Sequence, residues 1–263
     1  MNDQNKLWNS TSGNAWVDLQ ELIDHVLQPF EDLLVEDVHG RVLDVGCGTG
    51  STTLAAARVT GHCTGIDISE PMITAARARA ERERSPATFL LADAQRYAFA
   101  PASFDMIISR FGVMFFDDFV EAFTNLRRAA TELRFVAWRS PSENPFMTTA
   151  ERAAAPLLPN IPPRNPDGPG QFAFADRSRV QRILEESGWS EIDVRPIDVP
   201  CTLPEKELLR YATRLGPLGQ VLHEADDRTR TRIIETLRAA FDPYVQGAEV
   251  RFTAACWMVR ARA

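Results

Sequence analysis

Residues 42–50 read VLDVGCGTG, a short apolar run that breaks into three glycines at alternate positions. Arg41–Val45 is a short β-type run that leads into the glycines, and a helical stretch follows from Ser51. A strand that ends in glycines and turns into a helix brings backbone N–H groups and bare Cα atoms up against a ligand. Side chains at Gly46, Gly48 or Gly50 would occupy that space. The unit therefore predicts a parallel α/β sheet whose first loop holds a ligand.

The downstream pattern agrees. Strand-like runs at Cys63–Asp67, Thr88–Ala92, Phe104–Ser109 and Leu133–Trp138 alternate with helical stretches at Ser51–Val59, Glu70–Glu83 and Asp118–Ala129. Such a rhythm at short intervals gives a parallel sheet with helices on both faces. Upstream, Trp16, Leu19, Ile23, Val26, Leu27 and Phe30 recur at helical spacing, with Gly13 and Pro29 read as the brackets of one helix. Residues 156–170 hold six prolines and two glycines and cannot be helix or central strand. A helix over Arg177–Ser187, capped by Asp176, follows. Two late strands, Glu191–Val199 and Arg251–Arg260, enclose helices at Pro204–Leu215 and Arg228–Phe241.

Charge and cysteine content narrow the function classes. The formal net charge of −7 disfavours nucleic acid, because phosphate binding relies on Lys and Arg to release counterions. No uninterrupted apolar stretch approaches bilayer length, and the first residues lack the pattern of a secretory signal. Cys47, Cys63, Cys201 and Cys256 form no C-x-x-C pair; we read them as reduced, with no metal site and a cytoplasmic location.

The ligand class follows from spacing. Asp67 lies 21 residues beyond Gly46, where a carboxylate at the end of the second strand accepts from ribose hydroxyls. A dinucleotide G-x-G-x-x-G fails in both registers, because Ser51 or Thr53 stands where the third glycine is needed. An acid, Asp44, instead precedes Gly46-x-Gly48-x-Gly50.

With that motif the sequence resembles the class I S-adenosylmethionine (SAM)-dependent methyltransferases. VLDVGCGTG, GIDIS, LLADAQ and FDMIISRFGVMFF follow the family's core pattern across residues 41–126, most like the small-molecule branch of ubiquinone- and menaquinone-type methylases. The resemblance implies a Rossmann-like, doubly wound, mostly parallel seven-stranded sheet with a helical cap. One domain would span 1–263. Its core would be about 36–140, 176–200 and 250–263, with an N-terminal helical cover over 1–35 and cap insertions at 141–175 and 204–246.

Family roles carry over by position. Asp44 would orient the methionine ammonium, and Gly46 and Gly48 would line the methionine and ribose. Asp67 would take the ribose hydroxyls, Ile68 would pack on the adenine, Asp93 would accept from the adenine amino group, and Ala94 N–H would meet a ring nitrogen. Ser109 and Arg110 end the fourth strand, where open α/β sheets place ligands. Arg110 pairs with the SAM carboxylate, pairs with an acceptor carboxylate, or stands as a solvated loop arginine; the three stay open. Trp8 and Trp16 lie on a segment that folds over the SAM pocket in similar enzymes. Two departures stand out: no Pro-Gly-Gly turn precedes the fifth strand, and 204–246 replaces a tight hairpin.

The implied reaction is methyl transfer from SAM, leaving S-adenosylhomocysteine (SAH), to a small acceptor. Aromatic side chains at Phe111, Phe115, Phe116, Trp138 and Tyr211, with Met114, suit an apolar or aromatic molecule. Phe115, Phe116 and Met114 read as core packing, Trp16 and Tyr211 as pocket residues. His223 is the weak candidate for a base; no catalytic residue follows from the sequence. Alternatives are a SAM-binding enzyme with non-methylating chemistry, or a non-catalytic SAM or SAH binder.

Overall fold

A computed structural model describes residues 3–162, 164–165 and 168–263. The chain opens with three helices, α1 (Asp3–Trp8), α2 (Thr11–Asp18) and α3 (Gln20–Val35). Alternation follows: β1 (Val42–Val45), α4 (Ser51–Thr60), β2 (Cys63–Asp67), α5 (Glu70–Glu83) and β3 (Thr88–Leu91). Next come β4 (Phe104–Arg110), α6 (Phe119–Ala129), β5 (Ala130–Trp138) and α7 (Pro145–Ala154). The last third holds α8 (Arg177–Glu186), β6 (Ser190–Pro204), α9 (Leu208–Arg214), α10 (Gly216–Val221), α11 (Asp227–Phe241), β7 (Val245–Gln246) and β8 (Glu249–Arg262).

The sheet runs β3-β2-β1-β4-β5-β8-β6. Its first five strands are parallel, and β8 lies antiparallel between β5 and β6. This is the mostly parallel α/β sheet the motifs predict, with the two-residue β7 added against β8.

Helix faces explain the layers. On α6, Phe119, Ala122, Phe123, Leu126 and Ala129 are buried at helical spacing, and the Asp118 side chain accepts from Glu121 N at 2.9 Å to cap the helix. On α8, Asp176 accepts from Arg179 N at 2.6 Å, and Val180, Ile183 and Leu184 point inward. The opposite face of the sheet packs on Leu54, Ala56, Ile73 and Ala76 of α4 and α5.

Several boundaries differ from the sequence reading. Gly13 lies inside α2 and Pro29 inside α3, so neither brackets a single N-terminal helix. Pro29 gives up one hydrogen bond, which the burial of Ile23, Val26, Leu27, Phe30 and Leu34 along α3 outweighs. Strand β5 begins at Ala130, three residues before the expected Leu133, because α6 passes into it with no turn at all. Strand β6 runs on to Pro204 rather than stopping at Val199. Its prolines 196, 200 and 204 share one parity in the ladder with β8, which turns their nitrogens away from β8 toward the open edge. Of the proline-rich stretch 156–170, residues 163, 166 and 167 lie outside the described residues; the others form no helix or strand.

Candidate functional site

At the carboxyl ends of the parallel strands lies a cavity of about 1060 Å³, with a side pocket of about 30 Å³ beside it. The glycine loop forms part of the wall. Gly46, Gly48 and Gly50 all take positive φ, and Gly46 N and Cys47 N donate to Ile66 O at 2.9 and 3.2 Å. The three glycines serve different ends. A Cβ on Gly46 would stand 2.6 Å from the Gly112 Cα, so Gly46 is needed for contact between two loops, and it lines the cavity as well. A Cβ on Gly48 would meet nothing nearer than Met72 Sδ at 3.5 Å, and both residues line the cavity.

Ser109 belongs to that loop contact. Its hydroxyl is fully buried, donates to Val45 O at 2.7 Å and accepts from Gly112 N at 3.1 Å. It is absent from the cavity wall, which corrects its reading as a cofactor ligand: one of its hydrogen bonds joins β4 to β1 and the other holds the loop that follows β4. Gly112, which the sequence reading passed over, is the residue this latch holds.

The predicted nucleoside-binding residues do line one wall. Asp67 Oδ2 accepts from Gly48 N at 2.8 Å and Oδ1 from Ser69 N at 2.9 Å, leaving further lone pairs toward the cavity. Burial raises its pKa, and the backbone N–H groups of Ser69, Gly48 and Ile68 oppose that rise. Ile68, Asp93 and Ala94 follow along the same wall. Asp93 Oδ1 accepts from Gln95 N at 3.0 Å, which fixes the turn after β3.

Helices α1 and α2 cover this wall. Asn9 donates to Ile68 O at 3.0 Å and accepts from Glu70 N at 2.8 Å, and Ser69 Oγ donates to Trp8 O at 2.7 Å. Trp8 meets both Trp16 and Phe115 edge-on, and all three line the cavity.

A charged nest surrounds the side pocket. Arg110 is one-tenth exposed, with Nη1 3.6 Å from Glu31 Oε2 and Nη2 3.8 Å from Asp24 Oδ1, both beyond hydrogen-bond distance. Asp24 is shared with Arg79, and Glu31 accepts from the Ser51 hydroxyl. Asp44 Oδ2 accepts from Thr53 Oγ1 at 2.7 Å. Arg110 Nη1, Asp44 Oδ1, Asp24 Oδ1 and Thr52 Oγ1 are all buried without a hydrogen-bond partner. Such groups cost free energy unless a ligand or water meets them. Burial pushes the Asp44 carboxyl up to about 7, against the opposing pull of Thr53 and Arg110. Arg110 is therefore no solvated loop arginine.

Two further expectations are corrected or refined. His223 sits in an exposed turn between α10 and α11, off the cavity wall, so it reaches nothing that reacts there. Met114, Phe115 and Phe116, read as core, also face the cavity, as do Trp16 and Tyr211. The four cysteines are buried and unpaired; burial pushes Cys201 up to about 12 and raises the other three as well, so none is a ready nucleophile. Among the described residues no helix is long and apolar enough to cross a membrane, and no group of three His, Cys, Asp or Glu could hold a metal ion.

Residues 42–132 match the family described as "Methyltransferase domain". That stretch of the chain is similar to methyltransferase domains. Proteins similar to this chain include an uncharacterised protein of Mycobacterium tuberculosis, 29% identical over 166 residues, which are 61% of this chain and 58% of that protein. The chain thus matches less than two thirds of that relative's length. A demethylmenaquinone methyltransferase of a Mycobacterium species is 26% identical over 58% of this chain and 68% of its own. Among solved structures, magnesium protoporphyrin IX methyltransferase from Synechocystis PCC 6803 with bound SAH superposes with a TM-score of 0.59 over 99% of this chain and all of that one. At 16% identity that likeness bears on the fold.

Proposed function

We propose that this protein is a SAM-dependent methyltransferase, which moves a methyl group from SAM to a small-molecule acceptor held in the same cavity. The observation that carries the reading is the nest of unpartnered buried atoms beside Gly48: one guanidinium nitrogen, two carboxylate oxygens and one hydroxyl. A zwitterionic α-amino-acid group satisfies such a set, its carboxylate meeting Arg110 and Thr52 and its ammonium meeting Asp44 and Asp24. A dinucleotide offers no such group, and its pyrophosphate would meet Asp24, Glu31 and Asp44 instead. Along the adjoining wall, Asp67 is suited to ribose hydroxyls, Asp93 and Ala94 to an adenine edge, and Ile68 and Trp16 to its faces.

When bound, SAM supplies a sulfonium methyl already activated for transfer. The chain's own task is then to align the acceptor in line and exclude water. Trp8, Trp16 and Phe115 close the cavity on one side, and Phe146, Met147 and Tyr211 wall the other. No histidine lines the cavity among the described residues. The Tyr211 hydroxyl has Met147 Sδ at 3.8 Å as its hydrogen-bond acceptor, and burial raises its pKa, so it keeps its proton and does not serve as a base. Catalysis by position and desolvation is the reading this favours, with an apolar or aromatic acceptor. We assign the work to the cytoplasm, in keeping with four unpaired thiols.

Calorimetric titration with SAM, SAH and NAD tests the cofactor. Micromolar SAM and SAH with silence from NAD is the expected result, and NAD binding alone would overturn it. Methyl transfer to a panel of aromatic acceptors then separates an enzyme from a non-catalytic binder. Consumption of SAM without a methylated product would mark the non-methylating alternative.

A further inference from the structure

Helix α4 opens with three consecutive hydroxyls, Ser51, Thr52 and Thr53, all of them buried. They are used in different ways. Ser51 Oγ donates to Glu31 Oε2, and Thr53 Oγ1 donates to Asp44 Oδ2 at 2.7 Å, while Thr52 Oγ1 has no hydrogen-bond partner. Thr52 and Asp44 line the side pocket, but Ser51, Thr53 and Glu31 line neither it nor the main cavity. Two of the three hydroxyls therefore hold carboxylates from behind the pocket.

The oxygen that Ser51 holds is the one that faces Arg110. Glu31 Oε2 stands 3.6 Å from Arg110 Nη1, and Gln28 Nε2 holds the other oxygen, Oε1, at 3.1 Å. A carboxylate this near a guanidinium, if free to move, closes into a two-bonded fork, which would engage Arg110 within the protein. Arg79 restrains Asp24 in the same manner, through Oδ2 at 2.5 Å, and leaves Asp24 Oδ1 3.8 Å from Arg110 Nη2. Arg110 Nη1 keeps no hydrogen-bond partner as a result. Thr53 treats Asp44 differently: it fixes Oδ2 and leaves Oδ1 buried and unpartnered. Strand β2 passes so close that a Cβ on Gly65 would stand 2.8 Å from Thr53 Oγ1, so the hydroxyl has little room to turn away.

We propose that Ser51 and Thr53 are positioning residues: Ser51 holds Glu31 back from Arg110, and Thr53 aims Asp44 at the side pocket. Both charges then stay open for the carboxylate and the ammonium of one amino-acid group. The identity of that group rests on the SAM reading, whereas the two restraints belong to the fold itself. A pocket held ready in this way binds more tightly, because its charged groups are ordered before the ligand arrives.

The test is calorimetric titration near neutral pH with three adenosine thioethers: SAH, its decarboxylated analogue 5′-deoxy-5′-(3-aminopropylthio)adenosine, and 5′-methylthioadenosine, which carries neither charge. Ser51→Ala is expected to weaken SAH about tenfold and to leave the other two as in the native protein, because it acts through Arg110 on the carboxylate. Thr53→Val is expected to weaken SAH and the amine alike, also about tenfold, and to spare methylthioadenosine; Thr53→Ser should restore both. Unchanged methylthioadenosine binding shows that the variant is folded, and Thr53→Ala takes the place of Thr53→Val if that chain does not fold. Unchanged SAH affinity overturns the assignment of the residue replaced, and an equal loss of all three ligands overturns it too, since that marks a merely structural role. If SAH does not bind the native protein, the cofactor reading fails separately, and two measurements without ligand decide the restraints. In a crystal structure of Ser51→Ala, Glu31 Oε2 should close onto Arg110 Nη1 to hydrogen-bond distance; a gap that stays open overturns the role of Ser51. The Asp44 carboxyl also faces Arg110, Asp67 and Glu31, and its carbon-13 titration midpoint should rise in Thr53→Val; a midpoint that stays overturns the role of Thr53.

Discussion

Asp67 and Asp44 are both acids at the carboxyl end of a strand, yet they answer to different forces. Asp67 is held by two backbone N–H groups and keeps lone pairs for a ligand. Replacing it with alanine should weaken SAM binding by about 10–100-fold, the worth of one or two hydrogen bonds to a charged group. Calorimetry checks the affinity and thermal unfolding checks that the loop survives. Asp44 titrates where a physiological experiment can see it. Its carboxyl is raised from 3.8 to about 7, so the folded chain keeps a proton that the unfolded chain has already released. Stability should therefore decline as pH rises from about 4 to about 7, and Asp44→Asn should flatten that slope. The ionised form is the one that receives an ammonium, so SAM affinity should fall about tenfold per pH unit below 7 in the native protein and not in Asp44→Asn. A matching SAM profile in the two proteins would remove Asp44 from the ammonium site.

At the scale of elements, the loop after β1 is built as much by its neighbour as by its ligand. Gly46 and Gly112 press backbone to backbone, and a Cβ on Gly112 would lie 2.6 Å from Val45 O and 2.7 Å from the Gly46 Cα. Gly112→Ala should cost about 1–3 kcal/mol in denaturant unfolding, the range of an overpacked core, and should loosen SAM binding by shifting the loop. The sequence made β1, β2, α5 and the Gly46–Gly50 turn readable because apolar period, glycine spacing and a following acid coincide there. It left Gly112 unread because nothing local marks one glycine in RFGVMFF as the partner of another 66 residues earlier. The same limit misplaced Ser109, whose position at a strand end suggested a ligand while its hydroxyl was already spent on β1 and on the loop after β4. Pro29 misled in the opposite direction: a residue that punctuates a chain locally was overruled by the buried face of α3.

For the whole molecule, the N-terminal helices act as a cover fastened at few points. Asn9 and the Trp8 carbonyl tie α1 and α2 to the turn after β2, and Arg214 ties α2 to the cap. Removing residues 3–18 should leave one cooperative unfolding transition, because the sheet and its main core lie elsewhere. It should also raise the SAH dissociation rate at least tenfold in stopped-flow measurements, since Trp8 and Trp16 would no longer wall the cavity. An unchanged rate would mean that the cover does not retain the cofactor. How α7, α9 and α10 come to wall the cavity was not legible beforehand, because they meet it only through long-range packing.

The outer strand β6 has a consequence for the molecule among its own copies. A strand laid along that margin from another chain would look for donors and find, at residues 196, 200 and 204, three rungs where proline offers none. At the far margin β3 presents four residues in all. Growth of the sheet from one chain into the next is thus discouraged from both sides, which protects the fold's longest antiparallel strand pair.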